Sequence, residues 1–161
     1  MLKVKRLDNM DIVVNDFPKM VTFYKEVLGL PLHPHGYEPE KGWAMFMCGD
    51  TDLVLLSVPD ADRAERRRTS NYSADPAGVH SFAIHVDHLD DAIAEQDRSG
   101  IEWAGETVVY GAGAVLSAIP GPDFKGIWYR FRSFYDPEGN VTHICEVHPP
   151  KGFDRSKYGR S

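Results

Sequence analysis

Polar and apolar residues alternate along "NMDIVV" (residues 9–14), with Met10, Ile12 and Val14 on one side and Asn9, Asp11 and Val13 on the other. That period of two predicts a strand with one buried face. In "NDFPKMVTFYKEVLGLPL" the spacing changes to three and four, through Phe17, Met20, Val21, Tyr24, Val27 and Leu28. This predicts a helix capped by Asp16, with Pro18 in its first turn and Gly29 as its stop. Strand candidates follow around Leu30 to His33, in "GWAMFMCG" (42–49) and in "DLVLLSV" (52–58), the last two joined by the turn-forming "GDT".

The same order then recurs. "HSFAIHV" (80–86) alternates Phe82, Ile84 and Val86 against Ser81, Ala83 and His85, and "LDDAIAEQDRSG" continues as a helix ending at Gly100. After it come "IEWAG", "TVVY", a long loop rich in Gly and Pro (about 111–126), and then "IWYRFRSFY" and "NVTHICEV" joined by "DPEG". Two copies of strand, helix and three strands predict an α+β fold: two paired βαβββ modules forming a concave mixed β-sheet cavity. Neither module covers its own sheet face alone, so each needs the other. The expected bounds are about 5–60 for the first module, a linker of about 61–78, about 79–148 for the second, and a tail over 149–161, all in one domain.

Composition narrows the class of partner. The 161 residues carry a formal charge of −6, and 42% are hydrophobic, which is ordinary for a folded globular chain. There is no broad basic face for nucleic acid or an anionic membrane, and the basic run "RAERRR" (63–68) reads as a solvated linker. Cys48 and Cys145 are too few and too far apart to suggest a disulfide framework, and no CxxC occurs, which fits a reducing cytoplasm. The opening "MLKVKRLDNM" lacks the apolar core of a signal peptide, and no run approaches the roughly 20 apolar residues of a membrane span. No Walker loop, dinucleotide fingerprint or "GxSxG" elbow is present.

"MDIVVNDFPKMVTFYKEVLGLPL" resembles the opening of a vicinal oxygen chelate module, the superfamily of glyoxalase I, extradiol ring-cleaving dioxygenases, fosfomycin resistance enzymes and bleomycin-binding proteins. "HSFAIHVDHLDDAIAEQDRSGIEW" resembles a second opening, and "FYDPEGNVTHICEV" the closing hairpin, so the likeness spans about residues 7–148. It implies the paired-module fold, a small organic molecule as partner and a homodimer. It leaves the activity open, because the fold hosts enzymes and simple binders alike.

In metal-dependent members, four inward positions hold an ion, usually through His, Gln and Glu. The resemblance carries these onto Asn9, Val54, Ser81 and His143, the last standing where the family commonly has Glu, so this chain departs from the pattern at every one. A catalytic divalent metal needs about three donors of nitrogen, carboxylate or thiolate type. Among the four, only His143 is a good ligand. His80 stands one residue from Ser81, and a one-residue step along a strand points to the opposite face. The expectation is therefore no metal ligands and no cofactor. The alternative is a displaced site for Fe, Mn, Zn or Ni using Asp11, His85 and His143.

If Asp136 opposes Asn140 across "DPEG", His143 faces Ser133 and shares a sheet face with Phe131 and Tyr129. A histidine there suits acid/base work near neutral pH. The expected catalytic groups are His143 and Asp11. The expected ligand-binding groups are Asn9, Ser81, His85, Tyr129, Phe131 and Trp43. His33 and His35 fall in a loop broken by Pro and Gly, His88 near the start of the second helix, where a capping bond is the simple role, and the 111–126 loop is a candidate lid or dimer contact. The leading reading is an enzyme of isomerase, epimerase, cyclase or lyase type acting without metal. Against it stand a metal-dependent dioxygenase or glyoxalase-like lyase, and a non-catalytic binder that sequesters a drug or metabolite.

Overall fold

The computed structural model describes residues 6–62, 78–110 and 128–148, without the side chains of Tyr110 and Trp128. The basic run at 63–68, most of the linker, the 111–126 loop and the tail beyond residue 148 lie outside the described residues. The described residues divide into two compact units, 6–62 in the first and 78–110 with 128–148 in the second. The architecture is mixed α+β, with one four-stranded and one five-stranded sheet.

In the first unit, β1 (Asn9–Val14) leads into α1 (Phe17–Thr22), followed by β2 (Leu32–Glu38), β3 (Trp43–Cys48) and β4 (Thr51–Ser57) in the sheet order β1-β4-β3-β2. Strand β1 runs parallel to β4, and the other pairs are antiparallel. The alternation read in the sequence holds: Asn9, Asp11 and Val13 are exposed, while Met10, Ile12 and Val14 are progressively covered. Asp16 caps α1 by accepting from the Lys19 N–H at 3.2 Å, and Phe17, Met20 and Val21 are buried. The helix does not continue as α. Residues Phe23–Val27 form a π turn in which the Leu28 N–H reaches back five residues to the Phe23 carbonyl. The wider turn lets two consecutive aromatics, Phe23 and Tyr24, both bury, with their rings edge to face at 5.4 Å. His33 and His35 are not in a loop. They belong to β2, whose register against β3 shifts between Leu32 and Tyr37, a bulge that absorbs the Pro and Gly of this stretch. The His33 Nδ1 accepts from the His35 N–H at 3.2 Å.

In the second unit, β5 (Ser81–His85), α2 (Leu89–Ser99), β6 (Glu102–Trp103), β7 (Val108–Tyr110), β8 (Trp128–Tyr135) and β9 (Val141–His148) follow in order. The sheet runs β5-β9-β8-β6, and β7 also pairs with β8, so two short strands share the edge that a single strand occupies in the first unit. Helix α2 packs on β8 and β9, burying Leu89 and Gln96. His88 occupies the cap position of α2, yet its side chain makes no capping bond. A carboxylate does that work. Glu146, from β9, accepts the Leu89 N–H at 2.9 Å and also binds Arg130, which reaches Asp90 at 2.7 Å. A charge at an orphan helix N–H is worth more than a neutral imidazole, and it ties the helix start to the sheet. Among the described residues no helix is long and apolar enough to cross a membrane.

Two consequences can be measured. The Glu146 carboxyl is held down at about 2, first by the Leu89 N–H and then by His148 and Arg130. The stability it contributes is fully present above the ordinary glutamate range and is lost as pH falls toward about 2. Acid unfolding followed by circular dichroism should therefore lose this component in Glu146→Gln, which should also melt at a lower temperature at neutral pH; an unchanged melting point would remove the helix tie. Gly42 has φ of +66°, and a methyl there would overlap Ser57 Cβ, whereas at Gly49, with φ of +65°, a methyl meets nothing within 4 Å. Gly42→Ala should cost more in urea unfolding than Gly49→Ala, whose cost is the left-handed backbone alone, about 1–3 kcal/mol. Equal losses would show that Ser57 yields freely.

Candidate functional site

Strand β9 lies between β5 and β8, and its register decides what surrounds His143. The pairing sets Ala83 beside His143 on β5, and Ser133 directly opposite it on β8, as the "DPEG" turn implied. On the same face stand Ser81, Cys145, Phe131 and Tyr129, while Thr142, Ile144 and Glu146 point to the face that α2 covers. His143 thus occupies the helix-free face of the second sheet and is 7% exposed.

Both nitrogens of the ring are engaged. Nε2 lies 2.6 Å from Ser81 Oγ and Nδ1 lies 2.5 Å from Ser133 Oγ. The edge of Phe131 meets the imidazole at 4.8 Å between centroids, and Tyr129 stands 5.6 Å from Phe131. Burial, and then the proximity of His80, push the His143 ring down to about 4, so the ring is neutral at physiological pH. A neutral imidazole holds one N–H and one lone pair, and the two serine hydroxyls, each able to donate or accept, satisfy either arrangement. Cys145 is a buried free thiol pushed up by burial, with the Tyr129 hydroxyl opposing that shift.

His80 departs from the expectation of an opposite-facing side chain. It precedes the first residue of β5, where strand alternation no longer governs direction, and its Nδ1 lies 3.0 Å from Ser81 Oγ. Its ring stacks over that of His143, 6.4 Å away and inclined by 13°. His80 and Ser133 are the two site groups absent from the residue set expected from the sequence. Ser133 was legible from the hairpin register; His80 was not, because it depends on where the strand begins. His85 shares the face by register but is exposed.

The remaining expected residues belong to the first unit. Asn9 and Asp11 are exposed on β1, with the Asn9 amide donating to the Asp11 carboxylate. Their register partners on β4 are Asp52 and the buried Val54. Trp43, half-buried, opens β3 opposite Leu56.

The donors at the four positions where metal-dependent relatives hold an ion do not fit such a group. Val54 offers hydrocarbon, Ser81 a neutral hydroxyl, Asn9 an amide already turned to Asp11, and His143 has both nitrogens committed to serines. Among the described residues no group of three or more His, Cys, Asp or Glu side chains is arranged to hold a metal ion.

A fold of two sheets with a helix against each, closing on this hairpin, defines a class. The chain belongs to the Glyoxalase/Bleomycin resistance protein/Dioxygenase superfamily, whose family model matches residues 6–144. It is 44% identical over 137 residues to the uncharacterized protein YraH of Bacillus subtilis (strain 168), covering 84% of this chain and 94% of that protein. Solved structures share the fold. A glyoxalase family protein from Enterococcus faecalis superposes with a TM-score of 0.58 at 21% identity, covering 88% of this chain and 98% of the other. Lactoylglutathione lyase from Agrobacterium tumefaciens does so with a TM-score of 0.56 at 17% identity, covering 89% and 94%.

The depressed value of His143 has a signed consequence for stability. Between about pH 6.5 and about 4 the unfolded chain takes up a proton on this ring that the folded chain refuses. The contribution is intact above the ordinary imidazole value, and about 3 kcal/mol is lost as pH descends through that window. Urea midpoints measured across it should fall in the wild type and flatten in His143→Gln; parallel profiles would show that the ring is not held neutral.

Proposed function

We propose that this chain is a small-molecule enzyme of the superfamily that moves protons with its own side chains, in isomerase, epimerase, cyclase or lyase chemistry, rather than through a resident divalent ion. The observation that carries this reading is the buried neutral imidazole of His143 held between two serine hydroxyls on a sheet face free of helix. Such a ring is pre-oriented, stays uncharged near neutral pH, and can take a proton at one nitrogen while releasing one at the other. Ser81, half-buried at the strand's start, holds the ring at Nε2. Phe131 and Tyr129 supply an aromatic wall beside the imidazole, and that wall also favours a second reading, a binder that holds a ligand by stacking without turnover.

Proton NMR in D2O separates the two. Small carbonyl compounds bearing α-protons, incubated with chelator-treated wild-type protein, should include at least one whose α-signal is lost by exchange. His143→Ala should slow that loss by at least 100-fold, on the scale of a positioned acid/base group. Binding of the same compounds without exchange, weakened in the variant, would favour the binder. Exchange that appears only on addition of Fe, Mn, Zn or Ni would overturn the metal-free chemistry.

A further inference from the structure

Ser81 Oγ lies within hydrogen-bond distance of two imidazoles at once, at 2.6 Å from His143 Nε2 and 3.0 Å from His80 Nδ1. A hydroxyl has one proton to give. If Ser81 donates to His143 Nε2, that nitrogen carries no proton, so neutral His143 is protonated at Nδ1 and donates to Ser133 Oγ; His80 must then offer an Nδ1–H to the Ser81 oxygen. If Ser81 donates to His80 Nδ1, His80 is protonated at Nε2, and His143 offers its Nε2–H to Ser81 while accepting at Nδ1 from the Ser133 hydroxyl. In both arrangements the two rings are protonated at the same-named nitrogen.

We infer that His80 is a positioning residue that sets the tautomer of His143 through the Ser81 hydroxyl, so that His80, Ser81, His143 and Ser133 form one proton relay. Passage from one arrangement to the other moves each proton by a single hydrogen bond. A proton enters at His80 Nε2, and the His80 Nδ1–H bond breaks as an O–H bond forms at Ser81. The former Ser81 proton binds His143 Nε2, and the His143 Nδ1–H passes to Ser133 Oγ as that oxygen gives its own proton to a basic atom of the bound small molecule. Each ring and each hydroxyl oxygen gains one bond to hydrogen as it loses another. No ring becomes an imidazolium, which is what burial of His143 and the stacking of His80 against it disfavour. The relay deepens the proposed function and rests on it only for its use, since it suits reactions in which a proton is taken up and returned by the protein without a charged intermediate on the buried ring.

The test needs no substrate, so its failure is distinct from failure of the enzyme reading. Long-range 1H–15N correlation spectra of the full chain, labelled with 15N-histidine at pH 7.5, report which nitrogen of each ring carries the proton. The expected result is that His80 and His143 share the same protonated nitrogen, and that Ser81→Thr, which keeps the hydroxyl, preserves this match. Ser81→Ala should release it, moving the nitrogen shifts of both rings, and His80→Ala should move those of His143. Opposite tautomers in the wild type would overturn the relay, as would His143 shifts unmoved by either alanine variant. The wild-type spectrum decides the question even if a variant fails to fold.

Discussion

The site depends on the position of β9 as an inner strand, paired parallel to β5 on one side and antiparallel to β8 on the other. A residue at the centre of an inner strand has neighbours on both flanks, and at His143 those flanks deliver a serine each. Without both pairings the imidazole would be a buried polar ring lacking partners, at a cost of a few kcal/mol. With them it is satisfied, neutral and fixed in direction. The same strand holds α2 in place from its other face, where Glu146 takes the first helix N–H. One strand thus organises a structural clamp on one side of the sheet and the candidate chemistry on the other, separated by the alternation of its side chains.

At the four positions where the resemblance places metal ligands, this chain carries Asn9, Val54, Ser81 and His143. Serine and histidine in the second unit form a hydrogen-bonded set that consumes the very lone pairs an ion would need. A hydroxyl between two imidazoles is well suited to pass protons and poorly suited to ligate a divalent ion. In the first unit, the valine and asparagine supply no strong donor either.

Likeness to known proteins supports the family and the fold, whereas the chemistry resides in these side chains. The solved relatives share less than a quarter of their residues with this chain, so a lyase among them speaks for the shape. The candidate chemistry is local: two histidines and two serines, assembled from the start of β5, the middle of β9 and the middle of β8.

Much of this was readable from residue order. Period-two spacing placed β1 and β5, helical spacing and end signals placed α1 and α2, and runs of strand formers between turns placed β3, β4, β8 and β9. The "DPEG" turn fixed the pairing of His143 with Ser133, because a tight hairpin allows few registers. Local pattern could not reach features set by longer-range packing. The π turn at Phe23–Val27 forms because two adjacent aromatics both find a buried place, and β2 bends through a bulge that absorbs His33 to Gly36. His88 yields its capping role to Glu146, which stands 57 residues from Leu89 in sequence. His80 turns toward Ser81 because the strand begins one residue after it. Sequence by itself determined the elements and which residues share a face, since those follow from backbone geometry. Tertiary structure alone decided which of those residues touch, because contact depends on strand ends, bulges and partners brought together only when the sheet closes.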